Sequence, residues 1–209
     1  MIQLDDKRIQ NLVYSDMCSG IVVLDQSNTV AVDQPFVQTM SDAYAQKFFP
    51  TSKCLASVEI RLMTPDLLYA RDVIVQIRRD SGGFPLGIPN DSQYLGQYII
   101  PAALVTTNFT TIPVPLNVEL QDTDVTNGVW IVIVSSIYDP NAIDMIPFLY
   151  MIRSLTGSGL AAKVGTSAWS TIGGMLYFKT FKQTSLTTTT TTTPLPSTTT
   201  TPLPSTTTT

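Results

Sequence analysis

The chain lacks histidine altogether, has few charged residues and contains no long apolar run. Without histidine it has neither the commonest general base nor a favoured zinc ligand. Its 12 basic and 16 acidic residues give a net charge of −4, and no basic cluster is larger than a pair such as Arg78 and Arg79. We therefore expect no nucleic-acid partner. The longest apolar stretch, residues 129–134, has the length of a strand, so we also expect no membrane span.

Motifs of catalysis are missing as well. The sequence has no G-x-S-x-G elbow and no phosphate-binding loop. Most carboxylates fall at predicted strand ends and turns, where Asp is favoured because it forms local hydrogen bonds. We therefore expect that the protein is not an enzyme. A hydrolase with two facing carboxylates is the third-ranked alternative.

The surface has unusually little charge to distribute. Charged residues make up 13% of the chain and hydrophobic residues 44%, whereas a soluble monomer normally carries more surface charge. Two interpretations stay open. Either most of the exposed surface consists of uncharged polar residues, namely Ser, Thr, Asn and Gln, or a neighbouring molecule or glycan covers part of the surface.

What the chain has instead is a tail of threonine, proline and serine at residues 187–209. Such a segment buries too little apolar surface to offset its ordering entropy. Its composition is that of an O-glycosylated stalk, which places the protein outside a cell or on a particle surface. The predicted O-glycosylation sites are Thr187, Thr188, Thr189, Thr190, Thr191, Thr192, Thr193, Ser197, Thr198, Thr199, Thr200, Thr201, Ser205, Thr206, Thr207, Thr208 and Thr209.

The two cysteines, Cys18 and Cys54, fit the same location. An even count in an exported protein favours a disulfide, although two buried thiols are the alternative. The first six residues lack the apolar core of a secretory signal. We therefore expect a removed leader or another route of export.

Three further motifs concern modification and metal binding. Asn90 and Asn108 each begin an Asn-x-Ser/Thr acceptor for N-linked glycan. Asp122, Asp124 and Asn127 crowd oxygen ligands onto one predicted turn, at residues 122–128. They are weak Ca²⁺ candidates, and we favour a solvated turn because the bidentate Glu of a Ca²⁺ loop is missing. Apart from covalent glycan we expect no cofactor.

Alternating apolar residues dominate the rest of the chain. Residues 56, 58, 60 and 62 share one face of a predicted strand, and residues 73, 75 and 77 do the same in the next. Further strands are predicted at residues 44–49, 94–100, 109–114, 117–120, 129–135, 148–154 and 173–181, with prolines breaking the pair 109–114 and 117–120. Short strands with little helical period predict an all-β sandwich.

The order of several motifs points to a family. Residues 58–62 and 73–78 are followed by Asp-Ser-Gly-Gly-Phe-Pro-Leu-Gly at 80–87, a buried run from Trp130, Trp169, and Met-Leu-Tyr-Phe-Lys at 175–179. This arrangement resembles the jelly-roll domain of choice-of-anchor type in bacterial surface proteins and in phage tail or virion proteins. The resemblance covers residues 36–182. It implies a β-sandwich for display, adhesion or assembly, similar in shape to carbohydrate-binding modules.

The predicted organisation is therefore an N-terminal arm at 1–33, a jelly-roll sandwich at 34–183 and a tail at 184–209. In the arm, Ile9, Leu12, Val13 and Met17 fit one helical face. The short apolar segment of Ile21, Val22, Val23 and Leu24 is the predicted subunit contact. It either covers an edge of its own sandwich or adds a strand to a neighbour's sheet.

These features favour a structural subunit that assembles head-to-tail with copies of itself into an extracellular, glycan-coated filament. The alternative is a carbohydrate-binding module of a phage tail or secreted adhesin, monomeric or trimeric. In that case Trp169, Tyr94, Tyr138 or Tyr150 would contact the sugar. Trp130 lies in a β-branched run, so we expect it in the core.

Overall fold

The computed structural model describes residues 18, 20–29, 34–142, 147–154 and 158–184. The apolar helical face predicted in the arm and all the predicted O-glycosylation sites lie outside these residues. Within them the protein is an all-β sandwich of two antiparallel sheets with seven strands each, which confirms the predicted fold class.

The elements are short and closely spaced, as the turn signals predicted. In chain order the strands are β1 (Val22–Asn28), β2 (Gln34–Gln38), β3 (Asp42–Phe48), β4 (Cys54–Met63), β5 (Val73–Ser81), β6 (Phe84–Pro85), β7 (Gly96–Ile100), β8 (Thr110–Glu119), β9 (Val129–Ser135), β10 (Leu149–Ser154), β11 (Leu160–Val164), β12 (Ser170–Ile172), β13 (Met175–Leu176) and β14 (Phe178–Gln183). Within the described ranges, one α-helix, α1 (Asp122–Asn127), and two 3-10 turns, Leu67–Tyr69 and Ala102–Leu104, interrupt them.

Eight of the strands have the order of a jelly roll. Sheet A contains the run β2-β10-β4-β8 and sheet B the run β3-β9-β5-β7. Among these eight strands, consecutive ones alternate between the sheets except β5 and β7, which are neighbours in sheet B, as in two nested Greek keys. Strands β1, β13 and β14 extend sheet A, and β6, β11 and β12 extend sheet B.

The core lies between the sheets and follows the predicted alternation. The even-numbered residues from 58 to 62 of β4 are buried there. In β5, Val73, Val75 and Ile77 are buried in the same core. Leu55 is also buried, although the other core residues of β4 are at even-numbered positions. A shift of register between Leu55 and Ser57 changes the parity of the strand at that point.

Two sequence predictions were wrong in detail. Residues 110–119 form one continuous strand, β8, despite Pro113 and Pro115. Strand β8 lies at the edge of sheet A with β4 as its neighbour, so neither proline removes a hydrogen bond from a central ladder. The extra residue at Asn117, with φ of 49°, absorbs the register shift against β4.

The predicted turn at 122–128 is the short helix α1. The Gln121 side chain and the Asp124 carboxylate form a reciprocal capping box at its start, and Gly128 ends it with φ of 81°. The sequence shows a box residue, Asp124, but its partner Gln121 is not a usual N-cap residue.

The connections gather at two ends of the sandwich. The upper end, where β4 finishes, carries loops 39–41, 64–72, 101–109 and 136–142. Backbone hydrogen bonds connect three of these loops. Thr64 N donates to Thr106 O at 2.9 Å, which joins loops 64–72 and 101–109, and Ser136 N donates to Asp72 O at 2.9 Å, which joins loops 136–142 and 64–72. The lower end, where β4 begins, carries loops 49–53, 82–95 and 120–128.

Candidate functional site

The apolar segment 21–24 lies at the lower end, on the outer edge of sheet A. Val22 pairs with Gln183 and Leu24 with Phe181, so this part of the arm packs on its own sandwich. Of the two roles that the sequence left open, the structure shows edge coverage within the chain.

The outer side of this segment remains open. Ile21 is 68% exposed and Leu24 52%, and both valines between them are exposed too. In the described part of the chain no strand pairs with the outer edge of β1. A free edge with exposed aliphatic side chains is a template for association with another chain.

Three contacts hold the segment in place. Cys18 and Cys54 form a disulfide with their Cα atoms 5.4 Å apart, which ties the arm to the first residue of β4. The Asp25 carboxylate accepts hydrogen bonds from the backbone and hydroxyl of Thr51, and Lys182 Nζ lies 3.5 Å from it. These bonds fix the start of β1 to loop 49–53 and to β14.

The arm enters and the tail leaves at the same place. Thr184 N donates to Ile21 O at 3.1 Å, and a Cβ at Gly20 would overlap the Thr184 carbonyl group. Only glycine permits this close approach of the two backbones. Thr184, the last described residue before the predicted stalk, therefore lies beside the start of β1.

Both predicted N-glycosylation acceptors are exposed. Asn90 lies in loop 82–95 and Asn108 in loop 101–109. Each acceptor is therefore sterically available to a glycosylating enzyme.

The three Ca²⁺ candidates lie on α1, where two of them are held by cations. Asp124 is buried, pairs with Arg79 Nε at 3.0 Å and accepts from Gln121 N at 2.9 Å. The Asp122 carboxylate lies 2.9 Å from Lys53 Nζ. These contacts turn the two carboxylates toward different cations rather than toward one ion. Across the ranges that the structure describes, no group of three or more Asp, Glu, Cys or His side chains is placed to hold a metal ion.

Asp80 forms a polar cluster that the sequence did not predict. Its Oδ1 accepts from Lys47 Nζ and from Trp130 Nε1, each at 2.8 Å, and Gly83 N donates to its other oxygen at 3.2 Å. Burial alone would raise the pKa of Asp80, but these hydrogen bonds hold it below the ordinary value. The cluster joins β3, β5 and β9 at the lower end.

Arg78 is the second unpredicted site, with a side chain that is fully buried. Its guanidinium donates to Gln76 Oε1, Leu86 O and Asp91 Oδ1, each at 2.8 Å. Burial opposes ionisation of Asp91, yet hydrogen bonds from Ile88 N and others and the charge of Arg78 lower its pKa. Arg78 therefore pins loop 82–95 across the outer face of sheet B.

The tryptophans support this covering layer. Trp130 is buried, as expected, but on the outer face of sheet B, where it packs with Ala45, Val132 and Ala161. Half-buried Trp169 packs against the same cluster and donates from Nε1 to Gly87 O at 3.2 Å. Its ring therefore packs against the protein on one side, and its Nε1 hydrogen bond is used within the chain.

One shallow groove of about 310 Å³ remains on this face. Its walls combine amide, carboxylate, hydroxyl and aromatic groups, a set of side chains that suits a polar ligand. They are Ile74, Gln76, Pro89, Asn90, Asp91, Ser92, Tyr94 and Gln97. Tyr138 lies at the upper end and is not part of this groove, and Tyr150 lies in β10 of the other sheet.

Comparison of the chain with protein-family models, with curated proteins and with solved structures finds no match. Among the described residues no helix has the length and apolar character needed to cross a lipid bilayer. The function therefore has to be argued from the geometry of this chain alone.

Proposed function

We propose that this protein is a non-enzymatic structural subunit that associates with copies of itself into an extracellular, glycan-bearing assembly. The single observation that carries the proposal is the open, aliphatic edge of β1 at residues 21–24. Leaving four consecutive aliphatic side chains in water is unfavourable by roughly 25 cal/mol for each Å² that a partner would cover.

The anchoring of this edge supports the same function. A disulfide, the Asp25 contacts and the pairing with β14 fix the segment before any partner arrives. Association then loses little conformational entropy because the contact strand is already ordered. The disulfide also agrees with an oxidising, extracellular location.

The tail supplies the second half of the proposal. Threonine-rich sequence beside an assembly edge would carry O-linked glycan outward from each subunit. The low charge of the body fits a surface shared between neighbouring subunits and glycan. Membership in the choice-of-anchor type of jelly roll stays a prediction.

The test compares the full chain with two charge variants. Leu24→Lys places a charge on the open edge, and Ile88→Lys is the matched control because Ile88 is 49% exposed in loop 82–95. We expect wild type and Ile88→Lys to form polymers in electron micrographs and Leu24→Lys to stay monomeric with an unchanged melting temperature. Equal polymerisation of all three chains would overturn the proposal.

A second candidate function is carbohydrate binding in the groove on sheet B. Tyr94 offers an aromatic face, and Gln97 and Ser92 offer polar groups that hydrogen-bond hydroxyls. A glycan array with wild type and Tyr94→Ala tests it. Binding that is lost in Tyr94→Ala, by a chain that stays monomeric, would favour this function over assembly.

A further inference from the structure

A second apolar surface lies at the upper end of the sandwich. We define the upper patch as Leu67, Leu68, Tyr69, Leu104 and Ile137, which belong to three different loops. Leu68 is 80% exposed and Leu67 64%, and the other three side chains are exposed as well. These are large apolar groups on loop tips, where polar residues are usual.

The patch is held rigidly rather than left loose. Asp66 caps the turn Leu67–Tyr69 by accepting from Leu68 N at 2.9 Å, and Arg71 Nη1 donates to Ala70 O at 2.8 Å. Asp72 Oδ1 accepts from Ala102 N at 2.8 Å. These three charged side chains thus hydrogen-bond to backbone groups of the loops, and the apolar side chains of the patch remain exposed.

The upper patch and the segment 21–24 lie at opposite ends of the sandwich, the segment on the lateral edge of sheet A. The segment lies near Cys54, at the beginning of β4, and the patch lies beyond Met63, at its end. The ten residues of β4 separate them by about 30 Å at ~3.3 Å per residue. Pairing with β14 and the disulfide keep the segment from folding back onto the patch of its own chain.

We infer that the upper patch of one copy receives the segment 21–24 of the next copy. Two different surfaces make a head-to-tail contact, which propagates as a filament when the rotation from copy to copy does not close into a ring. The inference rests on the proposed function and names the surface that the β1 edge binds.

The charges around both surfaces suit this pairing. Asp25 and Lys182 neutralise each other next to the segment, while Asp66, Arg71 and Asp72 are engaged within the upper end. The contact would therefore cover an ion pair beside the segment, and the three charged groups of the upper end would enter it with backbone hydrogen bonds already formed, which lowers the cost of covering them. Residues 1–17 lie outside the described part of the chain, and Cys18 fixes their attachment at the same lower end.

The experiment uses three variants of the full chain in sedimentation velocity: the double variant Leu67→Ser with Leu68→Ser, the edge variant Leu24→Lys, and the control Ile88→Ser. We expect the control to assemble like wild type and the double variant to associate at least about tenfold more weakly, since two buried leucines are lost. An equimolar mixture of the double variant and the edge variant is then examined. Each retains one intact surface, so we expect dimers and nothing larger.

The outcomes separate the inference from the function on which it rests. If the double variant assembles like wild type while Leu24→Lys does not, β1 binds elsewhere, and the inference is wrong although self-association stands. A mixture that stays monomeric also overturns the inference, because complementary ends would pair. If wild type and Ile88→Ser are themselves monomeric at every concentration, the proposed function fails and the inference with it.

Discussion

At the scale of single residues, Arg78 shows how a buried cation orders a loop. Its side chain lies wholly within the protein and bonds to Asp91, Gln76 and Leu86 O. A substitution such as Arg78→Met would leave these acceptors without their donor. Loop 82–95, which covers the outer face of sheet B, would lose its central attachment.

We expect Arg78→Met to lower the free energy of unfolding by about 2 kcal/mol, because Gln76 Oε1 and Leu86 O lose their donor, whereas partly exposed Asp91 keeps its backbone hydrogen bonds. The matched control is Lys53→Ala, which breaks an exposed pair with Asp122. We expect the control to cost less than about 1 kcal/mol. Urea denaturation of the three chains measures both values, and equal losses would show that burial does not set the strength of the Arg78 pair.

The titrating residues predict a distinctive dependence of stability on pH. The folded protein lowers the pKa of Asp80 and Asp91, so their contribution is complete above the ordinary carboxyl value and is lost as pH falls through the lowered one. Burial raises the pKa of Tyr138 to about 12, so stability that is present below the ordinary value of about 10 is lost at higher pH.

Between these limits no histidine titrates. We therefore expect the melting temperature to be nearly constant from about pH 5 to about pH 9 and to fall on both sides. In Asp80→Asn the fall on the acid side should be shallower. A melting transition that shifts steeply around pH 6.5 would contradict this assignment of the titrating groups.

Arg78 also marks a limit of sequence reasoning at this scale. The alternation of β5 correctly sends Val73, Val75 and Ile77 to the core and places Arg78 on the other face. A strand with one apolar face normally turns its other face to solvent, but here loop 82–95 and Trp169 cover that face. Only the folded path of a Gly/Pro-rich loop reveals this second layer, because alternation reports the face and not what lies over it.

At the scale of elements, the disulfide is the strongest local constraint on the arm. It joins residues 36 positions apart, and the chain-entropy model assigns such a loop about 4 kcal/mol of stabilisation. We expect the Cys18→Ser, Cys54→Ser double variant to lose stability of this order. Differential scanning calorimetry with and without reductant checks it.

The double variant measured with reductant is the control for this prediction. Reductant should destabilise wild type to the level of the double variant and leave the double variant itself unchanged. The double variant should also assemble less well, because the segment 21–24 is no longer anchored to β4. A wild-type protein that is insensitive to reductant would contradict the constraint.

Elements differ in how much of them the sequence could predict. Strands β4, β5 and β9 follow directly from alternation or from an unbroken apolar run. Pro113 and Pro115 predict two strands, whereas β8 is continuous because an edge strand tolerates proline, and sequence does not reveal that β8 lies at an edge. Helix α1 was missed because six residues are too few for a helical period to show.

At the scale of the whole molecule, the tail predicts a mass beyond that of the polypeptide. The chain weighs 22.8 kDa, and O-linked glycan on the threonines of residues 187–209 would add to it. We expect intact-mass spectra of protein from its natural source to show a series of heavier species. Proteolytic removal of the tail should collapse them to a single species unless Asn90 or Asn108 is also glycosylated. A natural protein of unmodified mass would contradict the glycan coat.

Only part of the candidate site could be predicted at this scale. The segment 21–24 stands out in the sequence as an apolar run between breaks, and the structure places it on an open edge. The upper patch gives no such signal, because Leu67, Leu104 and Ile137 are far apart in sequence. Their loops share one end only because a jelly roll returns every second connection to that end.

The central claim is that copies of this chain associate through their ends, and the mass distribution of the full protein tests it most directly. Sedimentation velocity across a concentration series should show species that grow in steps of one chain mass and do not stop at a closed oligomer. A single species of one chain mass at every concentration, with the Cys18–Cys54 disulfide intact, would contradict the account.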